Sequence, residues 1–204
     1  MSDAVERVAA LVPAAVGEDC VLVAVDGVDG AGKTTFARVL AAALRRRGRP
    51  VVQVSVDDFH QPRAVRHARG RSSPEGFWLD SFDYARLLSD VLVPLGPGGS
   101  RRFRPAAHEL ATDRVLEPPT QIAAPASVVV VDGLFLHRDE LVQHWDFSVF
   151  LEVPFAVSVA RVAARDGTSA APDHPGNLRY VGGQQLYFAA CEPWSRASLV
   201  IDHA

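Results

Sequence analysis

The sequence predicts an α/β protein with a central parallel sheet of about five strands and helices on both faces. Three observations carry this. Short apolar, β-branched runs at 21–25, 51–56, 128–131, 147–153 and 199–201 lack polar alternation, the pattern of strands buried on both faces. Helical patterns at 34–47, 81–93, 138–143, 154–165 and roughly 181–191 fall between them, as they do in a sheet covered by crossover helices. Residues 27–34 read Gly-Val-Asp-Gly-Ala-Gly-Lys-Thr between the first run and the first helix. That matches G-x-x-x-x-G-K-[ST] in its proper strand-to-helix context, and so specifies the three-layer P-loop sandwich.

The elements follow in order. The run at 21–25 feeds the glycine-rich turn, and the helix 34–47 ends on Arg45, Arg46 and Arg47, cations that suit the negative end of a helix dipole. The run at 51–56 ends on Asp57-Asp58-Phe59. Residues 96–119, rich in Gly, Pro and Arg, read as an excursion from the sheet with short strands at 101–104 and 114–116. The run at 128–131 ends on Asp132-Gly133. Residues 167–176 read as a loop between helices, the form a mobile lid takes, within a lid region of about 161–180.

The length of 204 residues suits one domain spanning 1–204. A net charge of −3 argues against a nucleic-acid-coating protein, which is usually basic. Cys20 and Cys191 are far apart and in no metal spacing, as reduced thiols of a cytoplasmic protein would be. Residues 1–16 carry Asp3 and Glu6 within their apolar pattern, unlike a secretory signal, and no stretch is suited to crossing a bilayer. Of 21 basic residues only Lys33 is lysine. Codon bias towards arginine accounts for the surface, but not for where the exception sits.

In the glycine-rich segment, Gly27, Gly30 and Gly32 let successive N–H groups converge on one anion, with Asp29, Ala31 and Thr35 completing the cradle for ATP. Lys33 is placed to reach the β- and γ-phosphates, and the Thr34 hydroxyl to ligate Mg2+. The plainer alternative is a glycine-rich turn with no ligand. Asp132, ending a buried strand beside this loop, is a second magnesium candidate, or else a turn cap. Asp57 is the candidate base for an acceptor hydroxyl and a further metal ligand, whereas Asp58 either shares that task or caps the next segment. Arg161 and Arg165 share a helix face and Arg179 follows the loop, so all three are candidates for neutralising a transferring phosphoryl group, against a plain reading as surface charge. The seven histidines form no metal spacing, there is no G-x-S-x-G elbow, and a guanine-reading Asn-Lys-x-Asp cannot be written with Asn177 and Lys33 alone.

With these residues in order, the chain resembles the uridine kinase and phosphoribulokinase family of P-loop kinases over nearly its whole length. The resemblance rests on the P-loop, Asp57-Asp58-Phe59, Asp80-Ser81-Phe82-Asp83, Asp132-Gly133-Leu134 and Arg165-Asp166. It implies Asp57 as catalytic base, Asp80 on the ribose hydroxyls, Phe103 and His108 lining the base pocket, and Arg165 in the lid. Gln184 or Gln185 stands where the family has a glutamine near the sugar. Two departures bear on the acceptor: Phe103 replaces the usual tyrosine, and the family's Arg-Gly-Arg-Asp lid is missing. Phe59, Phe77, Phe103 and Tyr180 are aromatic candidates for a flat acceptor face, or else core.

The function expected is ATP- and magnesium-dependent phosphorylation of a small-molecule hydroxyl, with a nucleoside such as uridine or cytidine as acceptor. Pantothenate, another riboside, a sugar or a sugar phosphate is the alternative within the class, and Arg63, Arg66, Arg69 and Arg71 offer a second anion site for the last. A nucleotide-dependent regulator is the alternative outside it. Homo-oligomerisation and the choice between ATP and GTP stay open.

Overall fold

The computed structural model describes residues 2–204. Five strands form the parallel sheet: β1 (Val21–Gly27), β2 (Val51–Ser55), β3 (Val128–Asp132), β4 (Phe147–Glu152) and β5 (Leu199–Asp202). Their spatial order is β2-β3-β1-β4-β5. The three inner strands are almost wholly buried, as their unbroken valine and leucine content requires. The edge strands depart from the expectation of burial on both faces. β5 alternates between partly covered and exposed residues, and in β2 only Val54 is buried, because each strand has a neighbour on one side only.

Alternation across β1 and β3 splits the core in two. Val21, Val23, Val25, Val128 and Val130 face α1 (Ser2–Leu11) and α2 (Lys33–Arg46), packing on Val8, Phe36, Leu40 and Leu44. Leu22, Ala24, Val129 and Val131 face the opposite layer, which includes α3 (Pro74–Asp80) and α5 (Leu178–Cys191). Between these last two in sequence, α4 (Phe155–Asp166) follows β4. No helix among the described residues is long and apolar enough to cross a membrane.

The helix expected over 81–93 forms over 84–95, with a π segment in its middle. The Asp83 side chain accepts from Arg86 N to start a turn at Tyr84–Leu87, which widens into a π turn at Leu88–Leu92 before Val93–Leu95. Pro94 is the physical reason: its ring and missing N–H cannot be accommodated in a regular α-helix. The excursion at 96–119 forms two small antiparallel pairs, Arg102–Phe103 with Gln121–Ile122 and His108–Glu109 with Arg114–Val115.

Register is what assembles the site. Val25 and Ser55 both sit level with Asp132, so β1, β2 and β3 end at one edge of the sheet. The residues that follow them, the P-loop and Asp57, therefore emerge beside Asp132.

Candidate active site

The loop after β1 is shaped by glycines. Gly30 has φ +76°, and a Cβ there would lie 2.4 Å from the Ser158 carbonyl oxygen on α4. No other residue fits both the backbone and the space. Gly32 caps α2 in the left-handed conformation, leaving the first N–H groups of that helix without intrahelical partners. Ala31 N donates to Val28 O at 3.0 Å, which closes the curl. Lys33 Nζ donates to Val28 O at 2.8 Å. Burial pulls its ammonium below the usual value, against the opposing pull of Asp29, Asp26, Asp57 and Asp132.

Opposite the loop, the Thr34 hydroxyl donates to Asp132 Oδ2 at 2.6 Å. Burial raises Asp132 above the ordinary carboxylate range, the Thr34 hydrogen bond lowers it, and the nearby Asp57 charge adds to the rise. Asp57 lies in a short 3-10 turn (Val56–Phe59) directly after β2. Gly133 permits this approach, since a Cβ there would sit 2.5 Å from Val56 Cβ. A hydroxyl beside two carboxylates, one of them buried, with a phosphate cradle adjoining, is a donor set that fits Mg2+ held partly by phosphate oxygens.

A cavity of about 340 Å³ opens over these groups. Asp29, Gly30, Gly32, Lys33, Thr34, Thr35, Asp57, Asp132 and Arg165 line it, so most of the expected nucleotide, metal and catalytic residues are brought together there. Gly27 and Ala31 lie buried behind the loop. Arg165 pairs with Asp166 at 2.7 Å and lines this cavity as well as a neighbouring one of about 450 Å³ beneath the 167–177 loop.

The acceptor residues need correction. Phe103 packs in the core and is absent from the cavity lining. His108 is buried with Nε2 3.2 Å from Asp113, and neither ring nitrogen makes a well-aligned hydrogen bond. Asp80 lies outside the cavity lining, paired with Arg69 at 2.9 Å. Arg179 is not a lid residue. Its guanidinium is buried and donates to the carbonyl oxygens of Arg66, Gly70, Arg71 and Ser73, which shapes the turn before α3. Arg161 points away from the cavity and donates to His203 O at 3.1 Å. Gln184 is buried and accepts from Asp29 N at 2.6 Å, so it supports the P-loop rather than lining the acceptor cavity.

The rings that do line the cavity are Phe77, Phe82 and Tyr180, with His60, Leu110 and Leu134. His60 lies against Phe82 with centroids 4.5 Å apart, and its Nδ1 meets Asp57 O at 2.7 Å. Burial lowers its imidazole below the ordinary value. His60 follows directly on Asp57-Asp58-Phe59, and that adjacency was the available sequence signal. Leu110 had none, because it arrives on a hairpin whose direction depends on the rest of the fold.

The family model described as phosphoribulokinase / uridine kinase family matches residues 22–171. A thymidylate kinase of Xylella fastidiosa (strain 9a5c) is 31% identical over 159 residues, covering 75% of this chain and 69% of that protein. The structure of a possible uridine kinase from Bacillus stearothermophilus superposes with a TM-score of 0.78 at 23% identity over 98% of each chain. That of a candidate fructose transport system kinase from Silicibacter sp. TM1040 gives a TM-score of 0.74 at 25% identity, over 97% of this chain and 98% of that one.

Proposed function

We propose that this chain, which belongs to the phosphoribulokinase/uridine kinase family of P-loop kinases, phosphorylates the 5′-hydroxyl of a nucleoside such as uridine or cytidine with ATP. One observation carries the choice of acceptor: the Asp57 carboxylate shares its cavity with the P-loop and with the rings of Phe77, Phe82 and Tyr180. Flat aromatic walls beside a base suit a substrate that joins a primary hydroxyl to a planar ring.

The P-loop N–H groups and Lys33 hold the triphosphate, and Thr34, Asp132 and Asp57 are the residues that would hold magnesium. Bound there, magnesium would supply charge neutralisation for the phosphates. Asp57 orients the acceptor hydroxyl and takes its proton as the new O–P bond forms and the bond to the leaving ADP oxygen breaks. Arg165, at the mouth of the same cavity, faces the charge on the transferring group. The chain acts as one kinase domain, in the cytoplasm, on a diffusing small molecule.

A sugar acceptor is the second reading, favoured by the similarity to the fructose transport system kinase and by the His60 edge in the cavity. A coupled ADP-release screen with Mg-ATP separates them. Nucleosides, thymidylate, fructose, sugar phosphates and pantothenate are offered in turn, and stimulation by uridine or cytidine is the expected result. Stimulation by fructose or a nucleotide with none by any nucleoside would sink the nucleoside reading. Slow hydrolysis that no acceptor accelerates would point to a nucleotide-dependent regulator.

A further inference from the structure

Asp26 is wholly buried at the end of β1, one residue before the P-loop begins. A carboxylate in that place is costly unless its oxygens are fully hydrogen-bonded. Asp26 Oδ1 accepts from Gly27 N at 2.7 Å. Asp26 Oδ2 accepts from the Tyr187 hydroxyl at 2.5 Å, from His137 Nδ1 at 2.8 Å and from His137 N at 3.2 Å. His137 N also donates to the Tyr187 oxygen at 3.0 Å. These donors come from three places: the P-loop, the segment that follows Asp132, and α5. The phosphoryl-transfer chemistry described above uses neither His137 nor Tyr187.

Each of the three places bears on the site. The segment after Asp132 carries strain, since Phe135 is fully buried with φ +67°, and such a conformation persists only when its surroundings hold it. On α5, Gln184 lies three residues before Tyr187 and accepts from Asp29 N, so the helix grips the loop at Gly27 through Asp26 and again at Asp29. The same helix presses on α3: a Cβ at Gly183 would lie 2.7 Å from the ring of Phe77, which lines the acceptor cavity. Burial first, and then the Asp26 charge, push the Tyr187 hydroxyl well above its ordinary range, so it remains a donor at working pH.

We infer that Asp26, His137 and Tyr187 form a positioning cluster that locks the P-loop and the Asp132 segment against α5, and that Mg-ATP affinity depends on it. The inference rests on the kinase reading only as far as Mg-ATP binding, and not on the acceptor. Direct calorimetric titration of Mg-ATP, well below the unfolding midpoint, tests it in Tyr187→Phe and Asp26→Asn. Tyr187→Phe keeps the ring and loses only the hydroxyl, so it provides the readout should Asp26→Asn not fold. We expect Kd to rise roughly tenfold in Tyr187→Phe and further in Asp26→Asn. The double variant should bind no more weakly than Asp26→Asn alone, because both remove one network. A merely structural cluster would lower the unfolding midpoint but leave the affinity of the folded variants at the unmodified value, and that result overturns the inference. Failure of the unmodified protein to bind Mg-ATP would overturn the kinase reading and this inference together.

Discussion

Asp57 and Asp132 are neighbouring carboxylates, and single substitutions should separate the roles proposed for them. Asp57→Asn keeps the shape of the 3-10 turn but cannot accept a proton. Its kcat should fall by roughly 10²–10⁴-fold, far more than its Mg-ATP affinity weakens, measured by initial rates and by titration. Near-normal turnover would remove Asp57 from the base role. Asp132 predicts a stability effect in the metal-free protein. Its folded value is raised from 3.8, chiefly by burial. As pH rises from there through the folded value, the native state keeps a proton that the unfolded chain has released, so stability is lost over that window. Above it the penalty is complete. Asp132→Asn should therefore unfold at a higher temperature than the unmodified protein at neutral pH without metal, yet gain less from added Mg-ATP. A lower midpoint would show that the charge is not a burden on the fold.

Among the elements, the turns around α3 depend on a side chain far away in sequence. Arg179 serves carbonyl oxygens that lie 106 to 113 residues away in the chain. Arg179→Met fills similar volume but leaves those acceptors unpaired in a buried place. A loss of about 2–4 kcal/mol in urea unfolding is expected, with faster proteolysis within 66–73. Unchanged protection there would mean that the turn holds itself. The P-loop makes the opposite case, for its geometry is local. Gly30→Ala meets both an unfavourable φ and the Ser158 carbonyl, so Mg-ATP binding should be lost although β1 and α2 on either side remain.

For the whole molecule, ligand binding at one edge of the sheet should stabilise all of it. At a concentration near 100 times Kd, Mg-ATP adds about 2.7 kcal/mol, or roughly 5–10 °C in unfolding midpoint for a chain of this size. Asp57→Asn should retain most of that shift and Gly30→Ala should lose it, which thermal scans with and without Mg-ATP will read. The sequence by itself determined the sheet, the P-loop and the Asp57 and Asp132 positions, because each is written in contiguous residues at a strand end and parallel register does the rest. Asp26 escaped because it reads as the last residue of an apolar run, and its partners come from 111 and 161 residues away. Only the folded chain shows which arginines and aromatic rings line the cavity. Arg161, Arg165 and Arg179 look alike in sequence, yet one reaches His203, one the cavity and one a set of backbone carbonyls. Phe103 and Phe82 both pack in the core, yet only Phe82 also lines the cavity. A long or aromatic side chain takes its direction from whatever packs around it, and those neighbours are fixed only once distant segments have met.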